Sequence, residues 1–432
     1  MLSRNDLENV KDRNGDRIGP APWMHTAPPG PATAKALRKE PHLAAICGHW
    51  PCPLIVRRAQ GTVVEDIDQN RYLDFDAGAR VSVAGHAHPR VLKALADWSS
   101  AALSGQADIP PAMVQVNLIR QLLRISRGDQ SRQVCLTPGA AASLTLAVEA
   151  ARRHTGRRRV VELVPEGAGA AAGTALTEVR PAGLNILRVT SPEDAEAARL
   201  RELVGCPQPA AAVLLRPLSN AADHWTPRDG LLDVLHSACC EHGSLLILDE
   251  SESGLGRTGR MFWCDRSEVV PDALIVSDGA AGLGPFSAVI ASGRFAETVV
   301  AVSGGECRIS GPIAVAAAAT LELAERQLVQ RAAEFGPAAF SKLSRIVDKH
   351  RNLLRPRGLG LVLAVDVIRP GKRGTPAPAL RDRLLGESFS RGLLLRGCGR
   401  SGIRFVPPLT VNRLQLEIAL EIFDEAVATV AE

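Results

Sequence analysis

Lysine is scarce in this 432-residue chain: of 51 basic residues, seven are lysine and 44 arginine, and no lysine lies between Lys93 and Lys342. That stretch therefore offers no side-chain amine as a nucleophile. Aromatic residues are equally thin at 3%, with Tyr72 the single tyrosine and no Phe, Tyr or Trp between Trp98 and Trp225. No apolar run is long enough to cross a bilayer. The longest, Gly311 to Leu323, is alanine-rich and too short. The opening MLSRNDLENVKDRNGDR is charged and has no apolar signal-peptide core, so a cytoplasmic protein without a membrane partner is expected. Nine cysteines form no paired framework. Cys47 and Cys52 flank His49, but a metal site would need a second half, so no metal is expected and the thiols read as free in a reducing compartment. A net charge of +5 with 46 acidic residues interspersed excludes a concentrated nucleic-acid footprint. Arg157-Arg158-Arg159 reads as a solvated face or an anion contact.

What is present is 46% hydrophobic residues, enough for a sizeable core in two or three units. The first sixty residues carry Pro and Gly clusters (PAPW, APPGPA, WPCP) and read as an extended, wrapping segment, 1–60. In GTVVEDIDQNRYLDF, Val63-Val64, Ile67 and Tyr72-Leu73 favour strands and Asp68-Gln69-Asn70 a turn, which predicts a β-hairpin. A helix follows from Pro89, and 61–109 reads as this hairpin with its linking helix. From about residue 110, helices at VQVNLIRQLLRI and ASLTLAVEAARRH alternate with strands at QVCLT, RVVELV, AAAVLLR, SLLILDE and ALIVSDG. Strands apolar throughout and separated by helices predict a mostly parallel sheet buried on both faces, in a large α/β unit over 110–305. The last stretch, 306–432, mixes helices with strands at GLVLAVDV and IRFVP and closes on the helix LQLEIALEIFDEAVATV, a small α+β unit.

Ligands of open parallel sheets sit at the carboxyl ends of the strands. Three strands here end in charge: Arg216 after AAAVLL, Asp249-Glu250 after LLIL, and Asp278 after ALIVS. At these residues the chain resembles the class III aminotransferases, nearest to their 4-aminobutyrate and ornithine branches. GTVVEDIDQNRYLDFDAGARVSVAGHAHPRVLKAL, LLILDESESGLGRTGRMFWCDRSEVVPDALIVSDGAAGLGPFSAVIAS and IRFVPPLTV resemble the family's three signatures in order, from about Gly30 to the end. The resemblance implies the fold type I architecture of pyridoxal-phosphate enzymes, with a large seven-stranded-type α/β domain and a smaller domain. It also implies dimers that share active sites. Asp249 falls on the aspartate that pairs with the pyridine nitrogen, Arg404 on the arginine that binds a substrate carboxylate, and Gly139 and Ala140 on the phosphate-binding turn. Glu252 stands where the family has Gln, and Arg308 where it has a phosphate-contacting Thr.

The departures cluster at the cofactor. Asp278 occupies the position of the Schiff-base lysine, the aromatic-His-Gly after RVVELV is replaced by PEGAGAAAG, and the family's Glu-Pro has become Arg216-Pro217. Pyridoxal phosphate is implied by the resemblance, held non-covalently where it binds. Arg216 and Asp278 are expected to pair in the vacated site. The leading expectation is a non-transaminating pseudoenzyme, a homodimer or a heterodimer with a lysine-bearing class III paralogue. The alternatives are lysine-independent chemistry on pyridoxal or pyridoxamine phosphate with an amino acid or amino-sugar, and a binding module that holds an anionic small molecule on Arg404 and Arg308.

Overall fold

The computed structural model describes residues 19–40, 42, 53–77, 83–100, 113–165, 186–191, 197–205, 207–218, 224–280, 282–304, 309–371 and 374–431. The side chains of 164–165, 186–191, 197–199, 278 and 431 lie outside that description.

The segment 1–60, expected to be extended, contains a helix, α1 (Pro31–Lys39), and a strand, β1 (Val56–Gln60). Proline at the first turn suits α1, but its N-cap, Gly30, has no side chain to bind the free amides. Asp68 supplies the missing acceptor from a distant turn: its carboxylate takes the amides of Ala32 at 2.6 Å and Thr33 at 2.9 Å. The expected hairpin is there, with β2 (Val63–Asp66) antiparallel to β3 (Arg71–Asp74). Its turn is built on Asp66, whose carboxylate accepts the amides of Asp68 and Asn70 and the Tyr72 hydroxyl at 3.0 Å. The same residues that make the turn thus also hold the N-terminal helix.

After α2 (Pro89–Ser99) and α3 (Met113–Ile125) the chain enters the large sheet. Its elements in order are β4 (Gln133–Thr137), α4 (Ala140–Thr155), β5 (Val160–Pro165), β6 (Ile186–Ser191), α5 (Ala197–Gly205), β7 (Ala212–Leu215), α6 (Leu231–His242), β8 (Leu245–Asp249), β9 (Ala273–Ser277), β10 (Ser287–Ala291) and α7 (Gly293–Ser303). The sheet order is β4-β10-β9-β8-β7-β5-β6. β6, β5, β7, β8 and β9 run parallel, while β10 is antiparallel to both β9 and β4. β6 and β10 were not anticipated from pattern. The sheet is covered on both faces, as apolar strands require. Ala147, Val148 and Ala151 of α4 and Phe295, Ala296 and Val299 of α7 pack one face, and Leu200 of α5 and Leu231, Leu235 and Ala238 of α6 join the core on the other.

The remaining helices are α8 (Gly311–Leu323), α9 (Val329–Lys349), α10 (Pro378–Ser390) and α11 (Arg413–Ala431). Between α9 and α10 lie β11 (Leu353–Leu359) and β12 (Val362–Val367), and after α10 come β13 (Leu393–Leu394), β14 (Arg396–Cys398) and β15 (Gly402–Phe405). β11-β12-β15-β14 form one sheet, and β13 joins β3 in another, so the two ends of the chain share a sheet. No helix among the described residues is long and apolar enough to cross a membrane.

The last sheet is pinned to the large unit by two glycines. A Cβ on Gly336 of α9 would lie 2.6 Å from the Gly360 backbone, and one on Gly360 would lie 2.4 Å from the Arg257 carbonyl. Gly360 also has φ +57, which disfavours any side chain. Gly360→Ala is expected to destabilise the fold by about 2 kcal/mol or more, read as a lower urea midpoint at unchanged slope.

Candidate functional site

Strand register sets out the site. Glu162 of β5 stands opposite Leu214 of β7, and Leu214 opposite Ile247 of β8. Side chains alternate along a strand, so Arg216 and Asp249, two residues beyond Leu214 and Ile247, point to the same face as Glu162. This is the face packed by α4, whose N-terminus follows β4 at the same sheet edge. Gly139, with φ +117, is the N-cap of α4, and Ala140 begins the helix; no side chain caps it and its first turn holds no acid. The edge therefore combines a bare helix N-terminus with a row of Glu162, Arg216 and Asp249.

Within that row, Arg216 donates from both Nε, at 2.8 Å, and Nη2 to Glu162 Oε1. The Glu162 side chain is 3% exposed and that of Arg216 17%. Burial works against the guanidinium's charge, but Glu162, Asp249 and Glu252 outweigh it and raise its pKa further. Asp249 closes β8, buried, with Oδ1 accepting Ser251 N at 3.1 Å and Ser251 Oγ at 2.5 Å.

Four expected residues, Gly139, Ala140, Asp249 and Glu252, thus come to this edge. Arg216 donates to Glu162, and its expected pairing with Asp278 falls on a side chain outside the described residues. Asp278 opens a short 3-10 turn directly after β9, on the far side of β8 from Arg216, and its side chain lies outside the description. Arg308, Cys47, His49 and Cys52 are also outside the described residues. Glu162 was missed, although an acid inside the apolar strand VVELV was its signal. Among the described residues no group of His, Cys, Asp and Glu is arranged to hold a metal.

Arg404 lies on β15, 1% exposed, and donates to Asp76 Oδ1 from Nε at 3.1 Å and Nη2 at 2.6 Å. Arg396 Nε donates to Asp76 Oδ2 at 2.6 Å. The guanidinium that the resemblance assigned to a substrate carboxylate lies inside the protein, bound to a carboxylate of its own chain. Removing one member of such a buried set typically costs about 3–5 kcal/mol. Nearby, His224 is buried with neither ring nitrogen hydrogen-bonded among the described residues. Burial first, then the charges of Arg404 and Arg357, hold it well below its usual pKa, so the ring is neutral.

The family description "Aminotransferase class-III" matches residues 47–167 and 182–427. The chain belongs to the class III aminotransferase family. Relatives include the 5-aminovalerate aminotransferase DavT of Pseudomonas aeruginosa, 28% identical over 400 residues and covering 86% of this chain and 94% of the relative. A 4-aminobutyrate aminotransferase of Mycobacterium leprae is 30% identical over 411 residues, covering 86% and 90%. Among solved structures, the PMP-bound form of a Vibrio fluvialis aminotransferase superposes with TM-score 0.76 at 20% identity, covering 93% of this chain and 96% of that one. A Virgibacillus transaminase gives TM-score 0.75 at 21% identity, covering 87% and 93%. The fold is that of the fold type I pyridoxal-phosphate enzymes, and pyridoxal phosphate is the cofactor the family implies.

Against that cofactor this family member fits in part. Gly139 and Ala140, at a helix N-terminus, suit a phosphate, and Asp249 is the carboxylate that a protonated pyridine needs. Arg216 does not fit, because a fixed cation already sits in the field of Asp249. No lysine exists between residues 93 and 342 to hold an aldehyde as an imine. The residues of this stretch therefore do not fit a cofactor held covalently through a lysine imine.

The loop after β8 rests on Glu250, 1% exposed. Its carboxylate accepts Trp263 N at 2.5 Å, Cys264 N at 2.9 Å and Ser253 Oγ at 3.1 Å. Burial outweighs these donors and pushes its pKa from 4.5 to about 7. A raised folded-state pKa means the native chain keeps a proton that the unfolded chain releases. The stability linked to Glu250 is therefore complete below about pH 4.5 and is lost as pH rises through about 7. Glu250→Gln, always neutral but with an amide facing two backbone N–H groups, is expected to cost about 1–3 kcal/mol at pH 5. Urea titrations from pH 5 to 8 should show this deficit shrinking as the wild type loses stability; a deficit constant with pH would contradict the titration.

Proposed function

We propose that this class III family member is a subunit that does not transaminate, and that it acts as the partner of a lysine-bearing class III aminotransferase. The observation that carries the reading is the Arg216–Glu162 pair beside Asp249. The aspartate that would pair with a protonated cofactor ring stands beside a cation of its own chain, in a chain whose central stretch has no lysine. Asp278, in the motif position of the Schiff-base lysine, can neither form an imine nor act as a strong base at the usual carboxylate pKa. The family fold supports a role in assembly, since class III active sites are shared across a dimer and a subunit without its own chemistry can still complete its neighbour's site. A homodimer of this chain alone would leave two incomplete sites. The relatives with aminotransferase names support the fold rather than a substrate for this chain.

The test is the visible absorbance of the purified chain after addition of pyridoxal phosphate, before and after borohydride and gel filtration. No reducible, retained chromophore is expected, and Asp278→Lys is expected to leave transaminase activity at background because Arg216 and the missing aromatic remain. A chromophore that survives reduction would mean an imine on this chain and would overturn the reading. Mixed with a lysine-bearing class III paralogue, the chain should co-elute with it and raise its activity. A self-assembled dimer that leaves the paralogue's activity unchanged would remove the partner role.

A further inference from the structure

Resting on the reading that no pyridine ring holds Asp249, we propose that the strand-end crevice is a site for a planar organic cation, and that the chain fills it with its own Arg216. The strand ends set one guanidinium against Glu162 and within the field of two further carboxylates. Glu162 binds it directly through Nε and Nη2, while Asp249 stands beside it in strand register and Glu252 adds its field from the following turn. Glu162 lies within a strand covered on both faces and its side chain is 3% exposed, so its charge requires a buried counter-cation. Arginine meets that need in a way lysine would not. Its charge is spread over a flat, weakly hydrated group that tolerates an apolar wall on each face and makes two parallel donations at one edge. A protonated pyridine ring shares this description: flat, delocalised, and donating N–H in its own plane. The family's crevice is thus retained as a receptor for a flat cation, and the occupant has changed from a separate molecule to a side chain.

The recognition this predicts is specific. With the Arg216 side chain removed, the crevice should take up a free guanidinium or amidinium ion in preference to a neutral molecule of the same shape or a compact ammonium. The probe is methylguanidinium, compared with N-methylurea and methylammonium, on full-length Arg216→Ala by thermal unfolding. Arg216→Ala is expected to melt below the wild type. Methylguanidinium at millimolar concentration should raise the variant's Tm by about 2–4 °C while leaving the wild type unmoved, and the two control molecules should do neither. A methylguanidinium shift no larger than that of N-methylurea, or equal in variant and wild type, would overturn the proposal.

A second readout avoids a destabilised variant. In wild-type chain labelled with nitrogen-15 arginine, the Arg216 Nε–H signal, assigned by its loss in Arg216→Lys, should exchange with solvent more than tenfold more slowly than the signals of exposed arginines. Exchange as fast as that of exposed arginines would equally overturn the proposal. The two readings fail separately. A borohydride-reducible chromophore in the wild type would remove the non-transaminating function whatever methylguanidinium does, and absence of selective rescue would remove the cation site while leaving the absorbance result untouched.

Discussion

A carboxylate inside a strand that is covered on both faces is costly unless a cation meets it, because neither water nor solvent ions can reach it. Glu162 is such a carboxylate, and much of the sheet edge follows from it. It requires Arg216 on the neighbouring strand, and the pair in turn sets the environment of Asp249 one strand further on. A single exchange of sign at position 216, from the family's glutamate to arginine, is therefore not a local change. Without Glu162 the cation would sit largely buried and lack its direct partner, and with Glu162 it is held at the strand end.

The same logic recurs elsewhere. Asp76 is shared by Arg396 and Arg404 on β14 and β15, which ties the segment after the first hairpin to the last sheet across more than 300 residues of chain. Asp68 ties α1 to that hairpin, and Glu250 gathers the turn after β8. In the two paired cases the cation is arginine. A planar fork keeps its charge under burial and satisfies two lone pairs at once, whereas a buried ammonium readily surrenders its proton. The imbalance of 44 arginines to seven lysines is consistent with a chain that uses its cations as interior braces.

The parts of this structure legible in the sequence were those determined by neighbours along the chain. Asp68-Gln69-Asn70 makes a turn by local hydrogen bonding, and strands such as LLIL and ALIVS announce themselves by apolar runs that end in charge. What was not legible depends on distant residues. α1 looked extended because its cap belongs to Asp68, in another part of the sequence. β10 is a five-residue strand whose identity comes from its two neighbours in the sheet rather than its own pattern. Arg216 was recognised as needing a carboxylate, but that Glu162 supplies one follows from β5 lying next to β7 in the sheet. Arg404 was recognised by motif, yet its engagement with Asp76 could be read only from the packed sheets.

The position of β10 also bears on how the chain acquires its fold during synthesis. β4, the first strand of the large sheet to leave the ribosome, has β10 as its sheet neighbour, so Thr137 must await Ser287. At ordinary translation speeds that is a delay of roughly 10 to 30 s in which an apolar strand has no neighbour on either side. α4 follows β4 immediately and can fold back over it, shielding one flank in the interval. An edge strand of the large sheet that is made early and paired late leaves the nascent chain open to mispairing with neighbouring chains until β10 arrives.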